Sequence, residues 1–518
     1  MTERLNKKID SLSCLCARII LALALLFMAY LMPMSLVRTT GMSTGSGIGE
    51  IVSFNYDNFF LNIIVLMICT AVVYIIRRLI AQRSVASVTA FMAVWLGVLG
   101  VVFVLSAKLQ PSEDSYIVTF FARQAAKGDY SYYNNYFRCF PFQLGFALYE
   151  ELFFRAFSLV MPNAPEGFSS LALQGMNVAF LVAGSVCLVR CASHIFKNDD
   201  ITRVTAVLFM FFLPALLFCT YMYGVLPGFA AAGAGVLMFL RFLERERVCD
   251  AVLCTLFMAL AVILKLNCMI FLVAIAIIWL VALLKKPTIK SAVCLVLMLT
   301  FVLCAKGLPQ KYYEARMDVD FGDGIPLTGW MAMGVSEGKS CSGWYNTTYT
   351  TDLFAAVDYD STAASQAACD AIKERAAYFA SEPSECRHFF SRKLLSQWNE
   401  PTYQGLWTNQ VRKSYSEQGE VFKLICKTFA RRLTQLMNYY QQLIFAGFSL
   451  GLLLLLRRGN IKGALLPLIV LGGFIYHLLF EAKSQYALVY IMLMIPVAAY
   501  SFVRLSDFVE KRSAKHGK

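Results

Sequence analysis

The chain has 518 residues, 58% of them apolar and only 15% charged, with a mean hydropathy of +0.60. A soluble domain cannot hide that much apolar side chain, so lipid is the solvent for much of it. The net charge of +14 suits a polytopic protein with basic cytoplasmic loops; there is no basic soluble domain to hold nucleic acid.

The chain opens "MTERLNKKIDSLSCLCARIILALALLFMAYLMPM". The apolar run from Ile19 to Leu36 is too long for the core of a signal peptide, and no small-x-small cleavage site stands out, so it reads as a retained span. Further apolar runs lie near 59–76, 86–106, 170–190, 204–222, 226–243, 249–265, 268–284, 291–307, 436–456, 462–480 and 486–503. That makes about 12 helices near the length needed to cross a bilayer. The expected fold is therefore an all-α polytopic membrane protein with a small, mainly helical outer domain and helices lying along the outer face.

Basic residues set the orientation. Arg4, Lys7 and Lys8 precede the first span. Alternate connections then carry Arg77, Arg78 and Arg83; Arg190, Lys197 and Arg203; Arg241, Arg245 and Arg247; Lys285, Lys286 and Lys290; and Arg457, Arg458 and Lys462. The tail adds Lys511, Arg512, Lys515 and Lys518. One topology, with both chain ends cytoplasmic in a cell membrane, satisfies the positive-inside rule throughout. It requires that residues 143–158 do not cross. That segment places Gln143, Glu150, Glu151 and Arg155 on one helical face and Leu148, Tyr149, Leu152, Phe153 and Ala156 on the other, the pattern of an interfacial helix.

Four regions follow: an N-terminal transmembrane hairpin and linker (1–85), a transmembrane core (86–307) with a first outer loop at 107–169, an outer segment (308–435), and C-terminal spans with a basic tail (436–518). The outer segment holds four of the six Trp. Trp330 is far in sequence from either flanking span, so stacking on a ligand ring competes with interface anchoring there. "SQWNEPTYQGLW", which includes Trp398, combines residue types that contact sugars; an ordinary turn is the competing reading. Cys341, Cys369 and Cys386 share this segment without a pairing being readable, and no pair of C-x-x-C motifs marks a zinc site.

The first outer loop is chemically the most suggestive. Glu113 and Asp114 follow the third span by a few residues, then come Lys127, Gly128 and Asp129 and an aromatic run including Tyr130, Tyr132, Tyr133, Tyr136 and Phe137. Pro141 starts the interfacial helix, where its missing N–H costs nothing. Two charged turns between spans could meet the loop: Lys265 and Asn267, and Glu481, Lys483, Gln485 and Tyr486. Lys265 also suits a snorkelling role, and His477 on its apolar helix suits a structural one.

An acid just outside a long span, "A-x-x-G-D" shortly after it, and a tyrosine-rich lead into "Y-F-x-x-x-P-x-Q" resemble the first outer loop of GT-C glycosyltransferases. The closest resemblance is to bacterial relatives of the protein O-mannosyltransferase and aminoarabinose-transferase group. The matching residues are Asp114, Tyr116, Ala125, Gly128, Asp129, Tyr136, Phe137, Pro141 and Gln143; "AVILKLNCMIFL" and "HLLFEAKSQYALVYIMLMIP" extend the likeness from about residue 86 onward. The resemblance implies a GT-C transmembrane fold and an inverting transfer from a polyprenyl-phosphate sugar to a lipid, glycan or protein acceptor on the outer face. It implies a carboxylate base, either Asp114 or Glu113, since the acid order departs from the family's usual D-E. It implies donor-phosphate contacts at Lys265, Lys483, Gln485 and Tyr486, with Gln485 where relatives often carry Arg. Tyr116, Asp129, Trp330, Trp398 and Glu481 are candidate sugar or acceptor contacts. No divalent metal is indicated. A transporter or lipid flippase is the main rival; it would place ionisable groups mid-span facing a cavity, whereas these acids lie at span ends.

Overall fold

The computed structural model describes residues 2–44, 50–132 and 135–516. Tyr133 and Lys518, and the side chains of Arg4, Lys7, Lys8 and Lys515, lie outside what is described. Ten helices among the described residues are long and apolar enough to cross a membrane. They run from Ile9–Val37 to Ser484–Ser513. An eleventh candidate is the bent pair Asp199–Met210 and Leu213–Thr220, kinked by 50°. Pro214 sits in the first turn of the second piece, where its ring fits a helix start but cannot extend the helix before it. The 249–265 run forms a shorter apolar helix, Val248–Leu264.

The last long helix is almost wholly buried and packs on Ala430–Arg458 and Leu465–Leu479. The first helix packs on the same two elements, so the N-terminal hairpin of spans is built into the bundle. Its second member, Phe59–Ile80, is mostly exposed along its apolar surface, as a lipid-facing helix should be. Ion pairs gather the basic connections at one end. Arg77 contacts Asp200 at 3.0 Å and Asp507 at 2.6 Å, and Lys285 contacts Asp10 at 3.1 Å. Both chain ends therefore share this proximal end. The 308–435 segment lies at the opposite, distal end, mainly as helices including Ser361–Ser381 and Pro383–Trp398. Its Cys341, Cys369 and Cys386 are free thiols.

Two features correct the sequence reading. The fold is not purely helical: Arg38–Thr44 and Glu50–Tyr56 form an antiparallel two-stranded sheet with Thr44 opposite Glu50. It docks on the 308–435 segment. Thr40 N donates to Asn399 O at 3.1 Å, and Asn399 Nδ2 donates to Arg38 O at 2.7 Å.

The second correction concerns Leu144–Val160, which is a helix as expected but not one with its acids in water. Glu150 and Glu151 are fully buried while Leu152, Leu159 and Val160 are exposed. The polar face turns inward because protein partners replace water there. Glu151 accepts from Tyr130 (3.1 Å), Tyr312 (3.0 Å), Tyr313 (2.7 Å) and Arg155 (2.9 Å). Such full satisfaction is what makes a buried carboxylate tolerable.

Candidate active site

The acid pair is placed by the backbone on either side of it. After the third span, Lys108 adopts a left-handed turn (φ 49°). Gln110 N then donates to Lys413 O at 2.8 Å, and Gln174 Nε2 donates to Leu109 O at 2.8 Å. The segment is thus pinned to the distal domain and to a neighbouring span. A capping box between Ser112 and Ser115 starts the helix Glu113–Ala126, where both acids occupy the first turn and complement the helix dipole. Glu113 itself has φ +50°, a left-handed conformation that non-glycine residues rarely hold and that clusters at functional sites.

Opposite the pair lies the start of the last span. Lys483 and Gln485 flank Ser484, its first residue. The turn "NEPTYQ" holds this point: Glu400 accepts from Thr402 Oγ1 (2.6 Å) and Thr402 N (3.0 Å), and from Ser484 Oγ (3.2 Å). Tyr403 and Gln404 in that turn are also left-handed, at φ 52° and 61°.

The third wall is the turn carrying Lys265. Only glycine fits at 145 and 224, where a Cβ would overlap the carbonyls of Ile263 and Leu264. The turn is thereby seated between the Leu144–Val160 helix and the strand of chain holding Tyr223. The Lys265 ammonium lies 4.2 Å from the centre of the Tyr223 ring and 5.6 Å from that of Tyr486, a cation–π cradle. The Tyr223 hydroxyl accepts from Gln143 Nε2, and Tyr136 hydrogen-bonds Asp114. Two residues of the "Y-F-x-x-x-P-x-Q" stretch thus converge on this place.

Two clefts meet here. One is lined by Glu50, Glu113, Tyr221, Trp407 and Lys483 among others. The other is largely apolar, with Phe229, Phe271, Val489, Lys265 and Tyr486 among its walls. Gln485 lines both.

Glu113 and Asp114 remain open to water; Glu113 lines the polar cleft, while Asp114 lines neither of the two. Burial pushes both carboxyls above their usual range; Lys483 opposes this for both, and Lys265 also for Asp114. Burial pushes Lys265 down to about 8 against the pull of Glu481 and Asp114. For Lys483 burial also acts downward, but Glu50 and Glu481 outweigh it and hold the ammonium above the ordinary lysine range.

The structure gathers Glu113, Asp114, Lys265, Glu481, Lys483, Gln485 and Tyr486 in one neighbourhood. Glu481 accepts from the Tyr486 hydroxyl at 2.9 Å, and His477 braces the turn through Nδ1 and Glu481 O at 2.8 Å. Four other candidates lie apart. Tyr116 is 53% exposed and stacks on Phe120. Asp129 accepts from Ser131 N and Oγ in an exposed turn. Trp330 packs against Phe140 and Phe142. Trp398 is fully buried among Phe27, Phe474 and Tyr490, because its helix face turns into the bundle; Trp407 lines the polar cleft instead. Sequence reasoning missed Glu50. Its one signal is an acid in a short, charge-poor connection on the same side as Glu113.

No protein-family model matches the chain, and no curated protein is similar to it.

Proposed function

We propose that the protein is an integral-membrane glycosyltransferase of GT-C type, moving a sugar from a polyprenyl-phosphate donor to a lipid, glycan or protein acceptor at the extracytoplasmic face. One observation carries the reading. Glu113 lines a polar cleft that shares Gln485 with an apolar one at the distal end of a membrane bundle, and Asp114 beside it feels both Lys483 and Lys265.

The chemistry fits this division. The apolar cleft suits the first part of an isoprenoid chain, and the polar cleft suits the sugar and acceptor. The acceptor oxygen or nitrogen attacks the anomeric carbon from the face opposite the phosphate, and the carbon–oxygen bond to phosphate breaks. Asp114, or Glu113 beside it, takes the acceptor proton; a carboxylate whose pKa is raised towards neutrality is the better acceptor while it stays ionised. The departing phosphate gathers negative charge, and in this scheme Lys265, Lys483 and the N-terminus of the Ser484–His516 helix stabilise it. The reading is tested by incubating purified protein in lipid nanodiscs with polyprenyl-phosphate sugars and acceptor extracts. Release of polyprenyl phosphate with transfer of the sugar is expected; donor movement across the bilayer without bond cleavage would favour a flippase.

A further inference from the structure

The N-terminal hairpin of strands brings a fourth acid to the site. A Glu50 carboxylate oxygen lies 2.7 Å from Lys483 Nζ, and the same oxygen accepts from Gln404 Nε2 at 3.1 Å. Neither side chain of the ion pair is freely exposed, at 19% for Lys483 and 17% for Glu50. The hairpin is anchored through Thr40 and Asn399, and Gln404 is fixed by Glu400, which accepts from its backbone N–H. Glu50 is therefore held on Lys483 from two directions.

Glu50 and Glu481 both act on Lys483, Asp114 feels Lys483 and Lys265, and Glu481 also feels Lys393. A phosphate entering this site meets carboxylates as well as ammonium groups. Its natural partner, Lys483, is already engaged by a carboxylate at ion-pair distance.

We infer that Glu50 is the internal counter-ion of Lys483 that a phosphate monoester must displace, so this hairpin residue sets the affinity of the site for its anionic ligand. The inference rests on the proposed function only for the ligand's identity as a lipid phosphate. Glu50 touches no reacting atom in this scheme; it is a positioning residue whose removal strengthens binding, which loss of a merely structural contact would not do.

The test is binding of polyprenyl phosphate to the full-length protein in nanodiscs, with uncharged polyprenol and inorganic phosphate as comparison arms. E50Q keeps the size and the amide oxygen for Lys483 and Gln404 while removing the charge. It should bind polyprenyl phosphate roughly tenfold more tightly than wild type, the scale of one unit charge removed a few ångströms away in a partly screened cleft. In a K483Q background the same change should gain less than about threefold, because the groups act through one contact. Unchanged melting temperatures confirm that the variants fold; if E50Q does not fold, E50D, which withdraws the carboxylate by one methylene, should tighten binding in the same sense. Equal or weaker binding by the folded variant overturns the inference and leaves the proposed function standing. Tightening for inorganic phosphate as large as for the lipid supports the counter-ion role but assigns the ligand to free phosphate. No preference for polyprenyl phosphate over polyprenol in any variant overturns both.

Discussion

The Lys265 ammonium rests 4.2 Å from the centre of the Tyr223 ring, while its own charge is weakened by burial that brings its pKa to about 8. Lys265 is thus cationic below about pH 8 and neutral above it. If it meets the donor phosphate, the KM for a polyprenyl-phosphate sugar should rise by roughly tenfold between pH 7 and 9, on the scale of one charge–phosphate contact. K265R, which stays charged over that range, should move the rise to higher pH. A pH profile that is the same in K265R would remove Lys265 from the phosphate site.

Gly224 seats the Lys265 turn by letting it pass against the Leu264 carbonyl. G224A would force a methyl group into a backbone atom and displace that turn. Activity should fall by about a hundredfold, since misplacing a catalytic group by an ångström has effects of that size. The fall should exceed that in G175A, where a Cβ meets nothing within 4 Å. Equal activities in the two variants would mean that the turn's position is not critical.

Glu150 is fully buried on the inner face of the Leu144–Val160 helix, with one oxygen accepting from Thr119 Oγ1 at 3.2 Å and the other without a partner among the described residues. Burial pushes its pKa from 4.5 up to about 8. A raised carboxyl pKa favours the fold where the acid is protonated in both states, and that stability declines as pH rises towards the folded value. The melting temperature should therefore fall from about pH 5 to pH 8, at roughly 2 °C per kcal/mol lost in a large chain. E150Q should flatten that slope and melt higher than wild type at pH 8. An unchanged slope in E150Q would assign the pH dependence to other groups.

The topology is open to direct labelling. With exposed Cys249 and Cys304 replaced, K127C and K197C should react with an impermeant thiol reagent from opposite sides of the membrane. Labelling from one side would contradict the orientation on which an extracytoplasmic site depends.

Much of the architecture is legible in the sequence because spans need long apolar runs. Each of the apolar runs read there corresponds to a helix, including the one that Pro214 bends. That Leu144–Val160 is a helix with one polar face was legible from Glu150, Glu151 and Arg155. Which way its acids face was not, since the partners Tyr312 and Tyr313 lie some 160 residues away, as the sequence separations of their bonds to Glu151 record. The strands of the hairpin were missed because "RTTGMST" and "EIVSFNY" are short and two-stranded, with no core-facing alternation strong enough to stand out. At the site, residues adjacent to span ends could be read in advance, because span ends share a height in the membrane. Tryptophans could not: Trp398 and Trp407 are nine residues apart in one motif, yet only helix orientation decides which is buried among Phe27 and Tyr490 and which lines a cleft.

The central claim is that a carboxylate at the start of the Glu113–Ala126 helix accepts the acceptor's proton. The most direct measurement is the single-turnover rate of sugar transfer from a polyprenyl-phosphate donor by wild type, D114N and E113Q, with donor affinity measured in parallel. Loss of a general base alone slows a reaction by about 10²–10⁴-fold. D114N should therefore fall at least a hundredfold with donor affinity little changed, and E113Q should fall much less; the reverse order would move the base by one residue. Full transfer rates in both variants would contradict the assignment of this acid pair as the catalytic site.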